Sequence, residues 1–283
     1  MLDDVLIPLV ETKQRERVPG EVIKNMVKEY LQYPVLEYVY NSEELQQLVF
    51  YGGSCVRICY DGPRLSEDLD FTVLSPAYAI DLDTLAHGLE RRFRSEFLID
   101  ADVKVRQSEV MKRVTLKFPI LKKLGLAPTL PSASDLLHVK IEISLSSLPV
   151  YEFGGVETSP VAQHGFNVFV RHYTLPILMA GKINALLSRV WFKGKREEVD
   201  IKGRDFFDLY WFFDRKVEPA WETLKQVTGI ATMEELKSAL WEKIEASVTP
   251  EKLVYDLKGF FANQRYVRDF AKHYKEIMKK HLT

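Results

Sequence analysis

Two aspartates, Asp68 and Asp70, stand one residue apart in the stretch from Ser66 to Leu74, SEDLDFTVL. On a β-strand successive side chains point to opposite faces, so this spacing projects both carboxylates together. Leu69, Phe71 and Val73 then line the other face. Two like charges that close repel unless a cation lies between them, and hard oxygen ligands favour Mg²⁺ or Mn²⁺. A third acid, Glu142, lies in the alternating segment Leu136 to Leu145. There His138, Lys140, Glu142 and Ser144 share one face, and Val139, Ile141, Ile143 and Leu145 share the other. If the two strands are neighbours, three carboxylates meet at one point. Upstream, Gly52-Gly53-Ser54 opens a short helix-like run, where backbone N–H groups and a hydroxyl can receive a phosphate. A phosphate cradle beside metal-binding carboxylates is the set of parts that nucleotide chemistry uses. An isolated Asp-x-Asp is also common on solvent-facing edge strands. The apolar face behind it and the glycine turn before it set this pair apart.

The elements that position these residues follow from periodicity. Apolar residues at helical spacing predict a helix over 19–32, and Ser42-Glu43-Glu44 reads as the start of a second over 43–48. Leu48 to Gly53 is a short apolar run that length alone leaves as strand or helix end. A helix over 54–60 and the acidic strand over 63–74 come next, then an amphipathic helix over 81–97 marked by Leu82, Leu85, Leu89 and Phe93. The segments around 101–109 and 112–120 alternate as an antiparallel pair. The Pro-, Ser- and Gly-containing stretch 121–135 reads as a surface loop. From about Thr174 the composition turns helical, with Lys182 in mid-helix and a charged loop over 191–205 leading into the apolar helix DFFDLYWFFDRK. The fold class is therefore α+β, a mixed sheet flanked by helices and followed by a C-terminal helical domain. The boundary near 172 gives domains of 1–172 and 173–283.

The chain of 283 residues is 46% hydrophobic and 12% aromatic, enough for a substantial core, and its formal net charge is −1. Bulk charge alone does not mark it as a nucleic-acid binder. Cys55 and Cys59 are its two cysteines. They supply too few ligands for zinc, lack the redox spacing, and read as small core residues. The N-terminal stretch has no apolar run of signal-peptide type, and no segment reaches the length of a membrane span. The expected location is cytoplasmic, with no membrane partner.

Taken in order, Gly52-Gly53-Ser54 with Arg57, then Arg64-x-Ser66-x-Asp68-x-Asp70-Phe71, resemble the DNA polymerase β-like nucleotidyltransferase superfamily. Lys140-Ile141-Glu142, the helix residue Lys182, and Lys202-Gly203-Arg204-Asp205-Phe206-Phe207-Asp208-Leu209 extend the match. With them the chain is most similar to the AbiEii-type toxin family, which includes the MenT-like toxins of mycobacteria. Val56 replaces the more usual Leu, and the third acid is Glu142 rather than the shorter Asp. The resemblance implies a nucleotidyltransferase fold whose helical domain closes the active-site cleft. It also implies a metal-dependent enzyme that moves NMP from NTP to an RNA acceptor, the tRNA 3′ end, releasing pyrophosphate and arresting translation. A cognate antitoxin would be its partner.

The same resemblance assigns roles. Asp68 and Asp70 bind Mg²⁺ or Mn²⁺, and Glu142 is the third carboxylate, as ligand or as base. Gly52, Gly53, Ser54 and Ser66 fall to the nucleotide. So does Arg64, which can also brace the acids. Lys182 contacts the triphosphate, and Asp205 orients Lys182 or the base. The plainer alternatives are a lysine snorkelling from a helix face and an acid stabilised at a helix N-terminus. Basic residues gather at Lys193, Lys195, Arg196, Lys202 and Arg204 beside Trp191 and Phe192, at Lys112, Arg113, Lys117, Lys122 and Lys123, and at Lys272, Lys275, Lys279 and Lys280. Such surfaces suit an acceptor stem, and equally suit a solvated face. A protein or small-molecule hydroxyl as acceptor, and a non-catalytic NTP-binding regulator, are the competing readings.

Overall fold

The computed structural model describes residues 3–75, 80–127, 134–145, 148, 155–192 and 199–282. They form two compact units, residues 1–147 with 158–172, and residues 148–157 with 173–283.

The first unit is built on a mixed sheet. Its strands are β1 (Val49–Tyr51), β2 (Asp68–Thr72), β3 (Asp102–Gln107), β4 (Met111–Pro119), β5 (Leu136–Ser144), β6 (Val156–Gln163) and β7 (Phe166–Tyr173), in the order β3-β4-β5-β2-β1-β7-β6. β2 runs antiparallel to β1 and parallel to β5, while β3, β4 and β5 form an antiparallel ladder. Four helices, α1 (Asp3–Arg15), α2 (Gly20–Asn41), α3 (Gly52–Cys59) and α4 (Leu82–Glu96), belong to the same unit. Leu69, Phe71, Val139, Ile141 and Ile143 are fully buried, so the period-2 alternation sends one face of β2 and β5 into the core. The opposite face carries the acids.

The structure alters four expectations. The helix expected to end near residue 32 continues through Pro34 to Asn41. An internal proline costs about 3 kcal/mol, but Val35, Leu36, Val39 and Tyr40 beyond it are all buried, and their burial outweighs that cost. Residues 43–47 are turns, not a helix. Leu45 is the only buried side chain among them, too little to offset helix nucleation in so short a segment. The run before the glycines is the strand β1. The acidic strand is shorter than 63–74, because the Gln32 side-chain amide, not a neighbouring strand, donates to the Glu67 carbonyl at 3.0 Å. The hairpin β6–β7, turning at His164 (φ 54°) and Gly165 (φ 83°), lies in a stretch for which the sequence pattern offered no element.

The second unit is helical: α5 (Leu175–Ser188), α6 (Gly203–Asp214), α7 (Trp221–Thr228), α8 (Met233–Ser247), α9 (Pro250–Leu257) and α10 (Gln264–Leu282). An aromatic core of Phe206, Phe207, Phe270 and Tyr274 joins α6 to α10, and the Tyr274 hydroxyl donates to the Phe206 carbonyl at 3.0 Å. Among the described residues, no helix is long and apolar enough to cross a membrane.

Candidate functional site

The acids of the first unit sit where the strand register puts them. β2 and β5 pair in parallel with Asp68 opposite Lys140 and Asp70 opposite Glu142. Partners in a ladder share a face, so the three carboxylates lie on one side of two adjacent strands. All are partly exposed. β4 adds a further residue to this face. Arg113 is the register partner of Glu142, and its guanidinium holds the Glu142 carboxylate at 2.8 Å. Lys140 approaches Asp68 at 3.5 Å. The sequence marked the acids but gave no sign of Arg113 as their neighbour, because pairing across β4 and β5 is not local information.

The glycine turn is shaped by the same acids. Gly52 has φ +78°, a left-handed conformation that side chains disfavour, and a Cβ there would overlap Asp70 Oδ2. At Gly53 a Cβ would fall 2.5 Å from Arg64 Nη2 and 3.1 Å from Ser66 Oγ. Both glycines are therefore close-approach positions, one for the carboxylate and one for the buried guanidinium. Ser54, the third residue of α3, is fully buried, its hydroxyl donating to the Asp68 carbonyl. That bond fixes α3 to the start of β2, and leaves the helix's first backbone N–H groups as the donors available to an anion. Arg64 and Ser66 are buried in the loop leading to β2, where Arg64 Nη1 donates to the Leu65 carbonyl at 2.9 Å.

Arg57, on the same helix as the glycine turn, is held by other groups. It forms a two-point pair with Glu29 on α2 (2.8 and 3.0 Å) and donates to the Gly62 carbonyl. His138 lies on the polar face of β5, and its pKa is lowered by burial and by the fields of Lys117, Lys140 and Lys28.

Hard carboxylate oxygens on one face, set against a glycine whose missing Cβ leaves room for one of them, fit a divalent cation of the Mg²⁺ or Mn²⁺ type. Asp68 and Asp70 have this character. Glu142 is already neutralised by Arg113.

The second unit holds a separate charged cluster. Lys182 on α5 bonds Asp205 at 2.9 Å and Asp208 at 2.8 Å, both on α6 and both almost wholly buried. Arg189 takes the second oxygen of Asp205 at 2.5 Å. Burial pushes the Asp205 carboxyl up, but Lys182, Lys202 and Arg189 outweigh it and hold its pKa below the usual range. Lys202 is pushed down to about 8, mainly by burial, with Asp205 opposing and Arg204, Lys182 and Arg189 reinforcing. A cavity of about 20 Å³ is lined by Arg189, Trp191, Lys202, Asp205 and Lys243, among others. Asp208 and Arg189 were missed as functional candidates. The Asp-x-x-Asp spacing on α6 was the available signal, since residues three apart share a helix face. Arg204 turns elsewhere, with its backbone N–H and its guanidinium on Asp256 and its plane over Phe260.

The basic clusters are partly spent. Lys112 donates to the Ile80 carbonyl and Lys117 pairs with Asp102, while Lys275 and Lys280 pair with Glu245 and Glu276. Lys193, Lys195 and Arg196 lie outside the described residues.

Comparison with known proteins follows this geometry. A family model described as "Nucleotidyl transferase AbiEii toxin, Type IV TA system" matches residues 35–283. A search by sequence among curated proteins finds no match. Among solved structures, JHP933 from Helicobacter pylori superposes with a TM-score of 0.52 at 17% identity, covering 91% of each chain. MenT4, a nucleotidyltransferase toxin from Mycobacterium tuberculosis H37Rv, superposes with a TM-score of 0.51 at 12% identity, covering 98% of this chain and 89% of its own. At these identities the two structures speak for the fold.

Proposed function

The chain belongs to the AbiEii nucleotidyltransferase toxin family, and on that footing we propose that it transfers NMP from an NTP to the 3′ end of RNA, in the first place tRNA. It is a nucleotidyltransferase of mixed α+β fold. The observation that carries the reading of the site is the β2–β5 register, which sets Asp70 beside Glu142 and Asp68 one step along the same face. Gly52 closes over Asp70.

A divalent cation held by Asp68 and Asp70 supplies, when bound, positive charge for the triphosphate and acidity for the attacking hydroxyl. The protein's own residues do the rest. The first N–H groups of α3, at Gly53 and Ser54, receive phosphate oxygens. Arg64, buried beneath Gly53, holds that turn and Ser66 in place. The acceptor's terminal hydroxyl attacks the α-phosphorus. A new P–O bond forms, the bond to the bridging oxygen breaks, and pyrophosphate leaves. The hydroxyl proton passes to one of the three carboxylates. Arg113 already occupies Glu142, so we assign cation binding to the aspartate pair and a positioning or base role to Glu142. Lys182 and Asp205 are assigned to the triphosphate on the family pattern, Lys182 as a point charge and Asp205 as the group that orients it. Loss of charging-competent tRNA would then arrest translation, and a cognate antitoxin would hold the activity in check.

Incubation of the purified protein with each labelled NTP, Mg²⁺ and total RNA tests the reading, with RNA, protein and small-molecule fractions separated afterwards. Label in tRNA that is lost with Asp68→Asn supports it. Label confined to protein or to small molecules transfers the same chemistry to another acceptor. No incorporation under any condition, with Asp68→Asn and Asp70→Asn leaving toxicity intact, overturns the catalytic reading.

A further inference from the structure

Cys55, Cys59 and His172 meet in the first unit, although 113 residues separate the second cysteine from the histidine. The two sulfurs and a ring nitrogen of His172 all lie within 4.8 Å of one another. Cys55 and His172 are fully buried and Cys59 is partly exposed. The geometry points to a Cys₂His site for a thiophilic divalent metal, Zn²⁺ in the first place, that clamps α3 to β7.

Three features carry this assignment. Cys55 and Cys59 are four apart on α3, so both side chains lie on one helix face with their Cβ atoms tilted the same way. This arrangement converges on a shared ion, whereas a direct S–S bond requires their Cβ atoms to face each other. His172 comes from a different element. It sits opposite Phe50 in the parallel β1–β7 pairing, and its ring is fixed edge-on against Tyr60 at 5.1 Å. A tetrahedral zinc site places its sulfur and nitrogen ligands about 3.5–3.8 Å apart, so contraction of about 1 Å by side-chain rotation closes this one. Cys59, at the exposed side, provides the way in and leaves the fourth position to water. Binding exchanges two thiol protons for one dication and leaves the buried cluster electrically neutral.

Donor chemistry separates this site from the carboxylates. Thiolate and imidazole select zinc-like ions, while Asp68 and Asp70 select hard ones. Its position gives it a consequence. The metal would tie the last turn of α3 to the sheet, and the first turn of that same helix carries Gly52-Gly53-Ser54. The clamp would thus set the register of the turn that faces Asp70.

Metal content and Co²⁺ titration of the purified full chain test the proposal. The expected result is one zinc per chain after dialysis against buffer without chelator. Co²⁺ added to the stripped protein should give a thiolate charge-transfer band and tetrahedral visible bands, saturating at one equivalent. Cys59→Ser, at the partly exposed position, should weaken Co²⁺ binding by about tenfold or more and cut the thiolate band at saturation to about half, one of the two thiolates being lost. His172→Asn should weaken Co²⁺ binding similarly and shift the visible bands while both thiolates remain, with circular dichroism reporting whether it folds; if it does not, Cys59→Ser alone decides. Asp68→Asn combined with Asp70→Asn should leave the band unchanged. A folded wild-type protein without a thiolate–cobalt band, or a band that survives Cys59→Ser at full intensity, overturns the proposal.

Discussion

Replacing Gly52 by alanine should abolish most activity while costing little stability, and a matched glycine separates the two effects. Gly52 has φ +78° and Gly229, at the end of α7, has φ +81°. Alanine at either position pays about 1–2 kcal/mol for the left-handed backbone, a fall in melting temperature of about 2–8 °C for a domain of this size. The surroundings differ. Nothing lies within 4 Å of a Cβ at Gly229, whereas at Gly52 it would overlap Asp70 Oδ2. Ordinary contact needs at least 3.4 Å, so the Asp70 carboxylate must withdraw by about 1 Å or more, and a displacement of that size at a reacting centre costs about 100-fold in rate. Gly52→Ala should therefore lose about two orders of magnitude in pyrophosphate release with labelled NTP and RNA. Gly229→Ala should keep its rate and lose only stability. Thermal melts on both variants provide the stability comparison. Equal activity in the two variants would refute the argument that Gly52 exists to admit Asp70.

Other outcomes follow from the same structure. Asp68→Asn and Asp70→Asn should each reduce turnover by at least about 100-fold, and Glu142→Gln by less, because Arg113 already neutralises Glu142; comparison of the three rates at saturating Mg²⁺ checks this. Lys182→Met leaves Asp205 and Asp208 with Arg189 and Lys202 as partial compensation, so urea unfolding should show a loss of about 3 kcal/mol, the low end for breaking a buried pair. Lys202 has a folded pKa of about 8 against 10.5 when unfolded. The unfolded chain thus binds the proton more tightly, the cost of folding is full below pH 8, and it is relieved as pH rises from 8 to 10.5. Wild type should therefore gain stability relative to Lys202→Met over that window, and parallel urea midpoints at pH 8, 9 and 10 would contradict it.

What the sequence disclosed and what it hid divide along physical lines. Period-2 alternation carried β2 and β5, because each has one buried face and one wet one. Leu69 and Ile141 are fully buried, while Asp68, Asp70 and Glu142 are not. The sequence pattern does not mark the hairpin β6–β7, because its turn is His164-Gly165 rather than Asn-Gly or Asp-Gly, and because Phe169 puts an apolar residue on the outward side of β7 that Asn167 and Arg171 share. The extension of α2 past Pro34 was hidden by a local rule that tertiary burial overrode. Partnerships across the sheet were also illegible. Neither Arg113 with Glu142 nor His172 with the two cysteines leaves any trace in spacing, since both depend on which strands become neighbours.

The glycines serve a purpose that the motif alone does not reveal. The spacing of Gly-Gly-Ser suits a cradle for phosphate, yet all three of its side-chain constraints are internal. Gly52 makes room for Asp70, Gly53 makes room for Arg64, and the Ser54 hydroxyl is spent on the Asp68 carbonyl. The turn therefore acts first on the acids. It presses one carboxylate from above and fixes the strand that carries both, and this costs the backbone N–H groups nothing. Those N–H groups remain at the helix start, where an anion is stabilised by the partial positive charge of the helix end. Under the proposed function, one turn would thus couple two requirements that a nucleotide imposes together, hard oxygens for its counter-ion and donors for its phosphates. A substitution that moves the turn should affect cation and phosphate affinity in concert, whereas one confined to Asp68 or Asp70 should act through the cation alone.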